Sequence, residues 1–455
     1  MKDRLLAALT AARSSYADIR VRRVWSTSVL VRNRKVEAAG SAIRTGGVAR
    51  AVSPDTGWGV AGFTEVDRLA PQVALAADLA AAGGTRRPVV LAPIPIRQLE
   101  LADPPQDDPR TIPLAARRAI AERLAGALHG FDRRIVESRV LYRDEVVETW
   151  LATSEGASLH EVRGETALSV LAIAEEAGNL ERALGTWSGR LGGPGVEGAI
   201  PLLESVASKA VQRLHATPVR PGRYTVILDP TAAAAMAHRL VAHLARTTLP
   251  GADADALPIG LRVGPECLTV GDDPTADGLR GSLACDDEGT PPRRTILVQN
   301  GVVTGHLTTR ETAARTHLAP SGHARAGALH AAPAPRAANS FLAQGAGTLD
   351  DLLRGIGSGV YVSDLIAADE SGGGLTLRAE SARVIRNGSL AEPVKGVQIE
   401  GSLLSLLGQV ESVAGDFVWD ASAARCRDGA AGVVSVTAGA PHVRLVDVAV
   451  SEGIP

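Results

Sequence analysis

Two histidines stand five residues apart in an almost wholly apolar tract, Met236-Ala237-His238-Arg239-Leu240-Val241-Ala242-His243-Leu244. Imidazole is the commonest transition-metal ligand, so the pair invites a metal reading. On a regular helix, however, positions i and i+5 point about 140° apart, unlike the i, i+4 pair of the usual zinc helix. Only a widened turn, such as a π-bulge, brings both together. On spacing alone the two read as ordinary helix histidines. Asp272-Asp273 and Asp286-Asp287-Glu288-Gly289 offer oxygens to a hard cation, but neither has the alternating spacing of a calcium loop, and both read as turn or cap residues. Gly372-Gly373-Gly374 lacks the lysine and following helix of a phosphate loop, and Ser371 and Ser381 lack a nucleophile-elbow setting.

The elements that must position these groups fall into two parts. The first opens with a helix over 2–14, a strand meander with a polar turn at Arg32-Asn33-Arg34-Lys35, and a helix over Pro71–Ala82. A proline-rich crossing at Pro88–Pro113 leads to a helix at Leu114–Leu128, alternating strands between Val136 and Glu175, and a closing helix at Pro201–Leu214. Thr217-Pro218-Val219-Arg220-Pro221-Gly222 breaks every regular element and marks the boundary. Beyond it, Arg223–Leu228 reads as a buried strand and Asp229-Pro230-Thr231 as the start of an Ala-rich helix over Ala232–Thr247. Short strands follow, with hairpin turns at Asn300-Gly301 and Asn387-Gly388. The expected fold is α+β in two domains: an N-terminal mixed α/β domain over 1–216 and a C-terminal, mostly antiparallel β domain over 217–455 with one central helix.

Composition narrows the function. The 455 residues hold 48 Lys+Arg against 50 Asp+Glu, a net charge of −2, which generates no long-range field to gather phosphates or anionic lipid. Five Trp, four Tyr and four Phe are too few for the stacking platforms of single-strand binders, so nucleic acid is not the expected partner. Cys267, Cys285 and Cys426 are an odd, dispersed set, unlike a disulfide framework. No run approaches the ~18 uncharged apolar residues of a membrane span. A soluble, cytoplasmic protein is expected.

The second-part tracts, read together, resemble the TldD/PmbA family, the "modulator of DNA gyrase" zinc metallopeptidases. They run from VILDPTAAAAMAHRLVAHL (226–244) through LTVGDDPTADGLRGSLACDDEGTPPRRTILVQNGVVTGHL (268–307), SGHAR (321–325), PAPRAANSFLAQG (333–345), GVYVSD (359–364) and SARVIRNGSLAEPVKGVQIEGS (381–402) to ARCRDGAAGVVSVTAGAPHVRL (424–445). ADIRV, VRNRKVEA and RTGGVARAVSPDTGWGVAGF look like the family's first domain.

The resemblance implies zinc on His238, His243 and Cys426, with a fourth position left for water; the 232–247 helix becomes the metal-site helix. It also exposes a departure. The family's His-Glu-x-x-x-His is His-Arg-x-x-x-His here, and Arg239, the residue singled out as catalytic, cannot serve as a general base because a guanidinium accepts no proton. Asp286, Asp287, Glu288 or a partner's carboxylate are then the expected acceptors. The family's Gly-Lys-x-Gly-Gln after the cysteine is Arg427-Asp428-Gly429-Ala430-Ala431. By the same resemblance the chain pairs with a paralogous subunit, or with itself, and acts on small or unfolded peptides or amide-bearing natural-product intermediates. The alternative is an inactive scaffold subunit. A gyrase-modulating role finds little support in the charge balance.

Overall fold

The computed structural model describes the chain except for residues 84–87, 103–107, 191–195, 247–256, 372–373, 423, 429–431 and 454–455. The architecture is α+β. Its first part is a seven-stranded sheet of β1 (Tyr16–Arg32), β2 (Lys35–Ser53), β3 (Gly57–Phe63), β4 (Gln98–Leu101), β5 (Ile135–Thr153), β6 (Ser158–Glu176) and β7 (Asn179–Arg190). The order is β3-β2-β1-β5-β6, with β4 and β7 sharing the outer edge of β6. Asn33 and Arg34 turn the β1–β2 hairpin with φ of 47° and 66°, the left-handed pair a two-residue hairpin needs.

Period-two alternation explains how the sheet sits. Ala17, Ile19 and Val21 of β1 are buried with Leu5 of α1 (Lys2–Leu9) and Val73 and Ala76 of α2 (Leu69–Ala81). Gly59 of β3 permits this packing, since a Cβ there would lie 2.0 Å from the Ala76 carbonyl oxygen. Farther along, α3 (Leu114–His129) and α4 (Ile200–Arg213) bury Leu124, Leu128, Leu203 and Val206 against Val140, Leu168 and Val170. The intervening residues Asp18, Arg20 and Arg22 point to the opposite face, toward the second part of the chain.

Arg20 and Arg22 reach Asp287, Arg50 bridges Asp18 and Glu288, and Arg310 reaches back to Glu155. Charged residues in the middle of long strands are thus satisfied by groups distant in sequence. This joins what the sequence reading separates: the short strands expected between Ile19 and Val31, and between Val136 and Glu175, are the uninterrupted β1, β5 and β6.

In the second part, Ser358–Ser371, Gly222–Leu228, Val443–Glu452, Val397–Gly401 and Gly374–Arg386 hydrogen-bond in that order, and the last pairs again with the first. A six-stranded sheet contains Val270–Asp272, Asn339–Leu342 and Thr437–Ala440. Between the two lies α5 (Pro230–Arg246), which packs on Asn339–Leu342 and Thr437–Ala440 on one side and on Ser358–Ser371 on the other. Its alanines let both sheets approach closely. Among the described residues no helix is long and apolar enough to cross a membrane.

Candidate functional site

The start of α5 is fixed by Asp229, whose carboxylate accepts from the Ala232 amide at 2.8 Å and the Thr231 hydroxyl at 2.7 Å, with Pro230 in the first turn. Ala232, Ala233, Ala234, Met236, Ala237, Leu240, Val241, Leu244 and Ala245 are buried. The less buried positions, Thr231, Ala235, His238, Arg239, Ala242 and His243, share one face, with His238 and His243 at its edges about 140° apart. The helix is α-helical throughout, without a widened turn.

His238 Nδ1 lies 3.1 Å from Ser340 Oγ, and Ser340 Oγ donates to Asp272 at 2.9 Å. The serine proton is thereby spent on the carboxylate, so its oxygen accepts from Nδ1–H and orients the imidazole ring. Asp272 is fully buried and also accepts from His323 Nε2 at 3.0 Å and from the amides of Ala338 and Asn339. His323 Nδ1 in turn lies 2.8 Å from the Ser321 carbonyl oxygen. The expectation of a turn or cap role for Asp272 is replaced by a buried anchor for the histidine.

Cys426 arrives from a separate element, the hairpin of Arg425–Asp428 with Gly432–Ser435. Burial alone pushes its thiol up, but hydrogen bonds and charge from His238 and Arg336 bring it down to about 7. Arg336 locks that hairpin, donating to the Cys426 carbonyl at 2.6 Å and the Gly432 carbonyl at 3.0 Å. The other two thiols are raised by burial. An oriented imidazole beside a ready thiolate is chemically suited to zinc, which takes nitrogen and sulfur donors. Among the described residues no three His, Cys, Asp or Glu side chains form a metal-holding group. Arg239 is half-buried on the face between the histidines.

Asp286, Asp287 and Glu288 are all committed elsewhere. Asp286 accepts from the amides of Glu288, Thr290 and Ala324, Asp287 pairs with Arg20 and Arg22, and Glu288 holds Arg50 and the Arg310 amide. Gly372 and Gly373 lie outside the described residues, as do 429–431 of the tract after Cys426. Ser340, His323 and Arg336 are the functional neighbours the sequence reading passes over; their tracts, SGHAR and PAPRAANSFL, carry the signal.

A cavity of about 620 Å³ opens on the opposite side of the Cys426 hairpin, between the two parts of the chain. Arg425, Val434 and Ser435 line it, whereas Cys426, paired with Val434, joins the core that contains Leu240 and Leu244.

Sequence profiles of the three PmbA/TldA metallopeptidase domains match in order: domain 1 over 17–82, the central domain over 107–217 and the C-terminal domain over 221–452. A metalloprotease of Synechocystis sp. is 31% identical over 443 residues, covering 96% of this chain and 95% of the relative. A protein named zinc metalloprotease TldD homolog, from Saccharolobus solfataricus, is 26% identical over 313 residues, covering 67% and 69%. In fold, the chain matches a Thermotoga maritima protein described as a modulator of a DNA gyrase (TM-score 0.77, 19% identity, 99% of both chains) and TldE from Thermococcus kodakarensis (0.73, 17%, 99% of both). The class is thus that of a three-domain PmbA/TldA metallopeptidase chain. This chain belongs to the PmbA/TldD family.

Proposed function

We propose that the chain is a subunit of a PmbA/TldD-type zinc metallopeptidase or amide hydrolase with altered water activation, acting in the cytoplasm on small or unfolded peptides or peptide-like natural-product intermediates. The observation that carries this reading is the oriented pair: His238 held through Ser340 on Asp272, with the Cys426 thiol at the same ring. His238, His243 and Cys426 are the residues that would hold Zn²⁺. When bound, the ion supplies a Lewis acid and lowers the pKa of its water.

The chain's own residues do the rest. Ser340 and Asp272 fix the tautomer of His238, and Arg336 favours the thiolate of Cys426. Arg239 accepts no proton, so its guanidinium suits a substrate carboxylate or a developing oxyanion. Because the three acids at 286–288 are bound into the junction, the proton acceptor comes from a partner subunit, a paralogue in a heterodimer or a second copy. The β2 edge supports such pairing: residues 37–44 are exposed, with Ile43 at 65%.

A second reading, a scaffold subunit without turnover, is favoured by Arg239 itself. Copurification from the native host, with zinc analysis and peptide cleavage by the complex, separates the two. A complex with less than about a tenth of an equivalent of zinc and no cleavage overturns the hydrolase reading.

A further inference from the structure

We propose that the cavity behind the Cys426 hairpin is a carboxylate-binding site in which Arg163 and Arg190 receive the carboxylate of a short peptide. Its volume of about 620 Å³ is that of a small-ligand site. Seven arginines line it against five carboxylates. Three are paired with carboxylates, Arg22 with Asp287 and Arg280 and Arg425 with Glu165, and Arg44 is exposed. Arg325 spends its donors on the carbonyls of Ala337 and Ser435.

Arg163 and Arg190 differ. Arg163 donates to the Arg280 carbonyl at 3.1 Å and comes only within 3.9 Å of Glu161. Arg190 makes no side-chain hydrogen bond or ion pair among the described residues; Glu161, Asp277 and Glu165 attract it only at longer range. Burial, then the like charge of Arg163, lowers the Arg190 guanidinium, and burial and Arg163 lower Arg325 to about 10. Holding such charges together is unfavourable unless an anion joins them.

Rigid strands impose the placement. Arg190 of β7 lies directly across from Glu165 of β6, and Arg163 precedes Glu165 by two residues, on the same face. Two planar forks on one sheet face suit a carboxylate, which each can bind through paired N–H groups. Leu159, Val147 and Leu283 supply an apolar lining for the rest of the ligand. The choice of a peptide as ligand rests on the peptidase reading; the arginine pair does not.

The test is calorimetric titration of the full-length, chelator-treated chain, so that loss of hydrolase activity cannot affect it. The probes are acetyl-tetra-alanine with a free C-terminus, its C-terminal amide, and acetyl-Ala-Glu-Ala-Ala-amide. The expected result is binding of the free acid at least about tenfold tighter than its amide, and loss of that difference in Arg190→Gln and Arg163→Gln. Arg190→Lys retains part of it. Binding of the Glu peptide amide, abolished by the same variants, assigns the site to side-chain carboxylates and supports the proposal equally. Because Arg190 has no ion-pair partner among the described residues, Arg190→Gln also raises the melting temperature. Equal binding of acid and amide, no binding of any probe at millimolar concentration, or full affinity in Arg190→Gln overturns the site.

Discussion

Arg280 and Glu165 meet as a fork across the junction, Nε to Oε2 and Nη2 to Oε1 each at 3.0 Å. The guanidinium also donates to the Ala424 carbonyl at 2.8 Å, which ties the approach to Cys426 onto β6. Glu165 stands directly opposite Glu145 in the β5–β6 register, so without Arg280 two carboxylates would face each other. Arg280→Met should therefore cost about 3 kcal/mol, because it removes the fork and leaves the buried carboxylate only Ser435 and the more distant Arg425. Urea unfolding measures this, and adding Glu165→Gln should recover most of the loss. Wild-type stability in Arg280→Met would show the fork to be dispensable.

The same pair sets an acid limb. Burial pushes the Glu165 carboxyl up, but Arg280, Ser435 and Arg425 hold it below its ordinary value. A carboxyl depressed in the folded state contributes stability above its unfolded pKa of about 4.3, lost as pH falls through the folded value. Stability measured from pH 6 downward should decline less steeply in Glu165→Gln than in the parent.

A second titration belongs to Cys426. In metal-free protein, thiolate absorbance near 240 nm should rise with a midpoint of about 7 and one-thiol amplitude, since burial raises Cys267 and Cys285. The depressed thiol favours the fold above its unfolded pKa of about 8.5, a contribution lost as pH falls through about 7. His238→Ala should move the midpoint upward. A midpoint that stays put in that variant would separate the thiol from the imidazole.

Ser340 links His238 to the buried Asp272. Ser340→Ala removes the acceptor that fixes the Nδ1–H tautomer, and loss of such an orienting partner lowers metal affinity by about 10–100-fold. Competition with a zinc chelator measures the change in the purified chain. Cys426→Ser should weaken binding more than Ser340→Ala does; the reverse order would place zinc elsewhere.

The sequence was readable where local backbone chemistry decides the outcome. Asn300-Gly301 and Asn387-Gly388 turn their hairpins with φ of 50°, 75°, 46° and 76°, the left-handed values for which Asn and Gly are suited. Pro230 opens α5 for the same kind of reason. Long strands were not readable, because charged Arg22-Arg23 and Arg143-Asp144-Glu145 interrupt the apolar pattern. Arg22 finds Asp287 in a segment far along the chain, and that partner has no trace in local periodicity. The histidine anchor was hidden likewise: Asp272, His323 and Ser340 come from three separate segments.

The decisive substitution is at Arg239. It occupies the less buried face of α5 between His238 and His243, where the family's motif carries glutamate, and its guanidinium offers donors but no acceptor. If the subunit hydrolyses amides with help from a partner's base, Arg239 holds the substrate or the oxyanion. Arg239→Ala should then lower kcat/KM of the assembled complex by about 10²–10³-fold, as loss of one oxyanion-stabilising donor does. Arg239→Glu restores a proton acceptor beside His238 and should give slow peptide cleavage by this chain with zinc but without its partner, because a positioned general base contributes about 10²–10⁴ in rate. The two variants bear on different steps: alanine tests what the guanidinium does now, and glutamate tests whether His238, His243 and Cys426 still support chemistry. Unchanged activity of the complex in both, with none in the isolated glutamate variant, would leave a scaffold subunit whose arginine marks catalysis already lost.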